Sequence, residues 1–150
     1  SGSDGFADDV GTYLSELNST ETGNQILTGI AESGNGLAIF ENIGQSAATG
    51  RGFLDFSWDQ TIIALDPRTV RAPAGLFQTV RGRAASPLVS PQHALGHELV
   101  HAWQNTSWSN GAPRIQHSVT GSSPWETQAA AYMNLIRQEQ GSQYRRVRYN

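Results

Sequence analysis

Ser90-Pro91-Gln92-His93-Ala94-Leu95-Gly96-His97-Glu98-Leu99-Val100-His101-Ala102-Trp103-Gln104 is the stretch around which the rest of the chain is arranged. Ser90 before Pro91 is a helix-start signal, with serine as the cap and proline in the first turn. Leu95, Leu99, Ala102 and Trp103 recur at spacings of three and four and form one apolar face. His93, His97 and His101 form a second stripe. Helix positions four apart lie one turn above each other, about 40° apart around the axis. His97 and His101 therefore aim two imidazole nitrogens at one point, as a tetrahedral Zn²⁺ site requires. Glu98 is placed to take a proton from water attacking a carbonyl, so His97-Glu98-Leu99-Val100-His101 reads as H-E-x-x-H on a helix. The plainer alternative is a surface helix with two solvated histidines. Three of the four histidines fall on one stripe within nine residues, which favours a metal site. His93, in the first turn, reads as a supporting or surface residue. Gly96 in a helix interior costs about 1 kcal/mol relative to alanine, which points to a neighbour packed against it.

A catalytic zinc usually takes three protein ligands and keeps a fourth position for water. The H-E-x-x-H-x-x-G-x-x-H continuation is absent, because Gln104 and Ser107 stand where its glycine and third histidine would be. No Asp follows His101, which leaves His117, Glu126 and Glu139 downstream. Glu126 opens a second helical pattern, Pro124 to Gln140, and shares a face with Ala129, Ala130 and Met133. Glu139 lies about 220° further round that helix and looks solvated. Glu126 is thus the expected third ligand. It has a competing role, since Ser123-Pro124-Trp125-Glu126 is also a capping box. His117 is the fallback ligand, or else a stabiliser of the reaction's oxyanion, a catalytic role for which Tyr132 is also a candidate.

At 150 residues the chain is expected to be one domain, residues 1–150, with Ser1-Gly2-Ser3 resembling a cloning scar. No apolar run approaches a membrane-spanning length. The absence of cysteine excludes disulfides, thiolate ligands and a cysteine nucleophile. All ten cationic residues are Arg, and the first fifty residues carry seven acidic groups and no basic one. The lack of Lys fits codon bias, or a protein that offers no ubiquitin acceptor in a foreign cytosol. A charge-mixed chain of net −3 is not built for nucleic acid. Arg145-Arg146-Val147-Arg148 reads as a solvated basic tail, with Arg pairing to a substrate carboxylate as the lesser alternative.

Upstream, Phe6 to Leu17 has helical spacing. A second helix runs from Gly23 to Glu32, with Thr22 as its cap. Leu37 to Glu41, Phe53 to Trp58 and Thr61 to Leu65 read as strands, with a loop through Gly52 after the first. Arg68 to Val89 has no period and reads as a long connection. Helices, a small sheet and then the metal helix predict an α+β, zincin-like fold with a mostly antiparallel sheet. Thr61–Leu65 is the candidate edge strand to hold an extended peptide.

The chain resembles the NleD-type effector zinc metallopeptidases. The likeness rests on Leu14 to Leu17 with Thr20-Glu21-Thr22-Gly23 and Ile26-Leu27, on Ile62 to Pro67, on Ser90 to Ala102, and on Asn134 to Glu139 with Gly141, Arg145 and Tyr149. One departure stands out: Met133 occupies the position where the family's closing pattern carries Glu. The resemblance implies a secreted toxin domain, translocated into a target cell, where it cleaves an intracellular protein. Its implied partners are that substrate, a delivery apparatus and a cognate inhibitor. Two other functions fit the motif: a non-enzymatic module stabilised by zinc, and a zinc amidase acting on cell-wall peptide. The first of these needs both His117 and Glu126 on the metal.

Overall fold

The computed structural model describes residues 5–34, 36–50, 60–106 and 111–150. Ser1-Gly2-Ser3 and the expected strand from Phe53 to Trp58 lie outside the described residues. The fold is α+β. Helices α1 (Phe6–Asn18) and α2 (Glu21–Glu32) precede strands β1 (Gly36–Glu41), β2 (Ala47–Gly50) and β3 (Gln60–Leu65). Four short strands follow: β4 (Val70–Arg71), β5 (Phe77–Thr79), β6 (Ala84–Ala85) and β7 (Leu88–Val89). Helices α3 (Pro91–Gln104) and α4 (Pro124–Glu139) and strand β8 (Tyr144–Arg146) complete it.

Helix α3 is the structural centre. It packs on α1, α2 and α4 and on strands β2 and β3. Leu95, Leu99, Val100, Ala102 and Trp103 are all buried, so its apolar surface extends beyond the single face that the spacing suggests. Leu17, Ile26, Ile63, Leu65, Met133 and Ile136 join them in one core. Ser90 caps α3, its hydroxyl accepting from the His93 N–H. The α2 cap is Thr20 rather than Thr22: the Thr20 hydroxyl accepts from Gly23 N–H. Thr22 has a different partner. Its N–H and hydroxyl both donate to the Glu139 carboxylate, at 2.8 and 2.5 Å. Glu139 is therefore not merely solvated. It places an anion at the start of α2, where a helix favours one, and ties α4 to the N-terminal helices.

Strand β3 corrects one expectation. It is the middle strand of its sheet, parallel to β1 and antiparallel to β2. Ladders on both sides take up its backbone groups, so Thr61–Leu65 cannot serve as a free edge for a peptide. The expected loop before Gly52 contains β2. The connection from Arg68 to Val89 also carries order: β4 pairs with β7, and β5 pairs with β6 and β8. Strands of two or three residues are too short to show a period of two. Arg145-Arg146-Val147-Arg148 is likewise no free tail, since β8 is laddered to β5.

Two glycines set helix spacings. A Cβ at Gly96 would lie 2.8 Å from the Met133 sulfur and its methyl carbon, and 3.2 Å from Leu17 Cδ2. A Cβ at Gly29 would lie 2.2 Å from the Trp103 indole nitrogen. Alanine gains about 1 kcal/mol of helix propensity at either site, but overpacking costs about 1–3 kcal/mol. Met133 is flexible and can shift, whereas the buried Trp103 ring cannot. Gly29→Ala is therefore expected to lower stability by about 1–3 kcal/mol, and Gly96→Ala by less. Thermal unfolding of the two variants checks the order; equal midpoints, or a stabilised Gly29→Ala, would refute the packing account.

Candidate metal centre

His97 and His101 stand on α3, and Glu126 stands in the first turn of α4. Their ligand-type atoms all lie within 4.8 Å of one another, so the three could hold a metal ion. His101 Nε2 is 2.5 Å and His97 Nε2 3.1 Å from the same atom, Glu126 Oε1. The two rings stand edge to face, with centroids 4.8 Å apart. The competing capping role of Glu126 is only half present. Ser123 Oγ accepts from the Glu126 N–H, but the Glu126 carboxylate is turned to the histidines. Serine alone caps the helix, which leaves the acid free for other contacts.

The proton positions bear on whether a cation belongs here. Gln104 donates its amide N–H to the Trp125 carbonyl at 3.1 Å, so its amide oxygen faces His101 Nδ1, 2.6 Å away. That oxygen can only accept, so Nδ1 carries the proton and Nε2 of a neutral ring presents a lone pair. The lone pair faces a carboxylate oxygen at 2.5 Å. Two acceptors at that distance need a cation between them, either a proton or a metal ion. Two imidazole nitrogens and one carboxylate form a donor set that suits zinc-type ions. Trp125 stacks on His101 at 5.3 Å and 9°, which fixes the ring plane.

Glu98 is buried and lines the same cavity as His93 and His97. Tyr149 also reaches that cavity, and the motif gave no hint that it would. Its ring stacks on His97 at 5.6 Å and 6°, which brings the phenol into interaction with Glu126. Burial, reinforced by Glu126, pushes the phenol up to about 12, so it stays a donor at neutral pH. The β5–β8 ladder, the Tyr149 N–H to Thr120 carbonyl bond and the Asn134 side chain hold this segment over α4. Asn134 both donates to and accepts from the Arg146 backbone. The only advance signal was Tyr149's place in the closing pattern near the chain's end.

Tyr132 and His117 are not brought to the cluster. The Tyr132 hydroxyl donates to the Pro113 carbonyl, and its buried ring packs edge-on against Trp103. His117 uses Nδ1 to accept from Val119 N–H and lines a separate groove beside Leu135 and Tyr144. His93 supports α3 from outside the cluster, its Nε2 paired with Gln140 Oε1 at 2.7 Å.

Both shifts in the cluster favour proton loss. Hydrogen bonds from His97 and Tyr149 outweigh burial and hold Glu126 down at about 2, against an ordinary 4.5. Burial lowers His97 below its ordinary 6.5. The unfolded chain therefore binds more protons than the folded one, first as pH falls through 6.5 and again from 4.5 to about 2. The metal-free protein should lose stability on acidification, and Glu126→Gln should flatten the part below pH 4.5. Thermal midpoints in a pH series after chelator dialysis test this, and a wild-type profile flat from neutral pH to 4 would contradict it.

A comparison with curated proteins finds no match. The family model Peptidase_M91, described as an effector protein, matches residues 1–131. The matched span takes in His97, Glu98, His101 and Glu126 and stops short of Arg137, Arg146 and Tyr149. With most of its length matched, this chain belongs to the Peptidase_M91 family of effector proteins.

Proposed function

We propose that this chain is a zinc endopeptidase delivered into a target cell, where it cleaves a protein. The observation that carries the reading is the convergence of both Nε2 atoms on Glu126 Oε1, with Gln104 holding the His101 proton on the far nitrogen. Membership of a peptidase family of effectors supports the substrate class and the delivery. A delivery apparatus and a cognate inhibitor are the partners such a protein would have.

His97, His101 and Glu126 would hold the ion and leave a coordination position open. The ion would supply Lewis acidity to a peptide carbonyl and acidify water. The Glu98 carboxylate takes the proton of the attacking water and passes it to the leaving amine. The Tyr149 hydroxyl, kept protonated by burial and carried on a ring stacked on His97, is a donor for the oxygen that gains charge, in place of Tyr132 and His117. A purely structural zinc site would be closed by a fourth protein ligand. Among the described residues the cluster has three, and His117 is held elsewhere.

The purified chain should carry zinc, and His97→Ala, His101→Ala and Glu126→Ala should each lose it. Glu98→Gln should keep the metal and lower the rate at which new protein N-termini appear in a target-cell lysate by roughly 10²- to 10⁴-fold. His117→Ala should alter neither metal nor cleavage. Elemental analysis and N-terminal mapping read these outcomes. New termini that persist unchanged with Glu98→Gln would sink the proposal, as would a zinc content unaffected by the ligand variants.

A further inference from the structure

The cavity beside the metal cluster has a second chemistry at its other end. Arg137 on α4 and Arg146 on β8 both line it, together with Glu98, Met133 and Tyr149. Arg137 is only 6 % exposed. Its guanidinium lies 5.0 Å over the Phe77 ring, and among the described residues its one hydrogen bond to a side chain is a 3.3 Å donation to Asn134 Oδ1. Arg146 shares the same ring at 5.7 Å, sits 4.2 Å over Tyr149, and donates Nε–H to the Arg148 carbonyl. Among the described residues no ion pair joins either guanidinium to a carboxylate. The carboxylate in electrostatic range of Arg146 is Glu126, which the two histidines already engage. Burial and the neighbouring charge of Arg146 bring Arg137 down to about 10, so it remains a cation at neutral pH.

One buried and one half-buried cation share this ring, and with no ion pair to either among the described residues the arrangement is costly unless something anionic arrives. A guanidinium presents five N–H donors in a planar fork, and Arg137 directs one of them to a protein side chain. The rest suit a carboxylate, which such a fork binds with two parallel bonds. The cavity holds about 160 Å³, room for a carboxylate side chain rather than for a folded partner. Arg137 is eleven residues beyond Glu126, which is about 20° around α4 and about 16 Å along it. The two thus share a face of α4. A peptide lying across Glu98 would put a residue near this site within a few positions of its cut.

We propose that Arg137 and Arg146 form a carboxylate-binding subsite of the substrate cleft, selecting peptides with an acidic group near the cleaved bond. This rests on the peptidase reading for its place in catalysis, but the binding itself can be measured without cleavage. Three small probes separate the sources of the carboxylate: N-acetyl-glutamate amide carries it on the side chain, N-acetyl-glutamine at the terminus, and N-acetyl-glutamine amide not at all. Each is titrated into the full chain as purified, following the Arg Nε–H signals by NMR. Saturable binding of one of the two acids is expected, at least tenfold weaker for the neutral amide and for Arg137→Gln. Preference for the first probe assigns the site to an acidic side chain, and preference for the second to a chain terminus. Equal binding of all three probes overturns the subsite, as does acid binding that Arg137→Gln leaves intact, which would mean ligation at the metal alone. Should Arg137→Gln unfold the protein, the partly exposed Arg146→Gln replaces it and must show the same loss. A failure here leaves Glu98-dependent cleavage standing. Loss of that cleavage with probe binding intact would instead remove the peptidase reading.

Discussion

The approach of α4 to α3 governs the rest of this structure. Gly96 leaves the space that Met133 fills, and that contact lets the first turn of α4 come near the histidine stripe. Glu126 then stands where two imidazoles can reach one of its oxygens. Bringing three polar groups together in a partly buried site is unfavourable unless they satisfy one another. Here they do so with the help of Gln104, Trp125 and Tyr149 around them.

The parts legible in the sequence are those encoded by local spacing. Residues 97, 98 and 101 lie on one helix, and their relative placement follows from its pitch. Glu126 was reached by elimination, and the caps at Ser90 and Ser123 by their residue types. What escaped depends on pairing between distant segments. That β3 is flanked on both sides, by β1 in parallel and β2 antiparallel, is a property of three segments together. The same holds for β8, whose ladder with β5 turns an apparent basic tail into a wall of the cavity. Tyr132 was a reasonable candidate by residue type, but Pro113 claims its hydroxyl. Glu139 is exposed, as its polar neighbours suggest, but its bonds to Thr22 are not local, since the first turn of α2 is 117 residues away in sequence.

The charge pattern of α4 follows its dipole. A helix favours anions in its first turn and cations in its last, and α4 has Glu126 in the first and Arg137 in the last. Arg137 lines the cavity beside the cluster that Glu126 joins. The helix backbone thus assists, at one end, a carboxylate near two histidines and, at the other, a cation that no ion pair among the described residues neutralises. This separation of signs keeps Arg137 from taking Glu126 as its partner, which would withdraw the carboxylate from His97 and His101. Arg146 lies close enough to both to feel the charge of each. Its backbone is clamped by Asn134, so the β8 segment is held at a fixed distance from α4. The position of Tyr149 over His97 is therefore set by the strand that also supplies Arg146, and a change in either would be felt at both ends of the cavity.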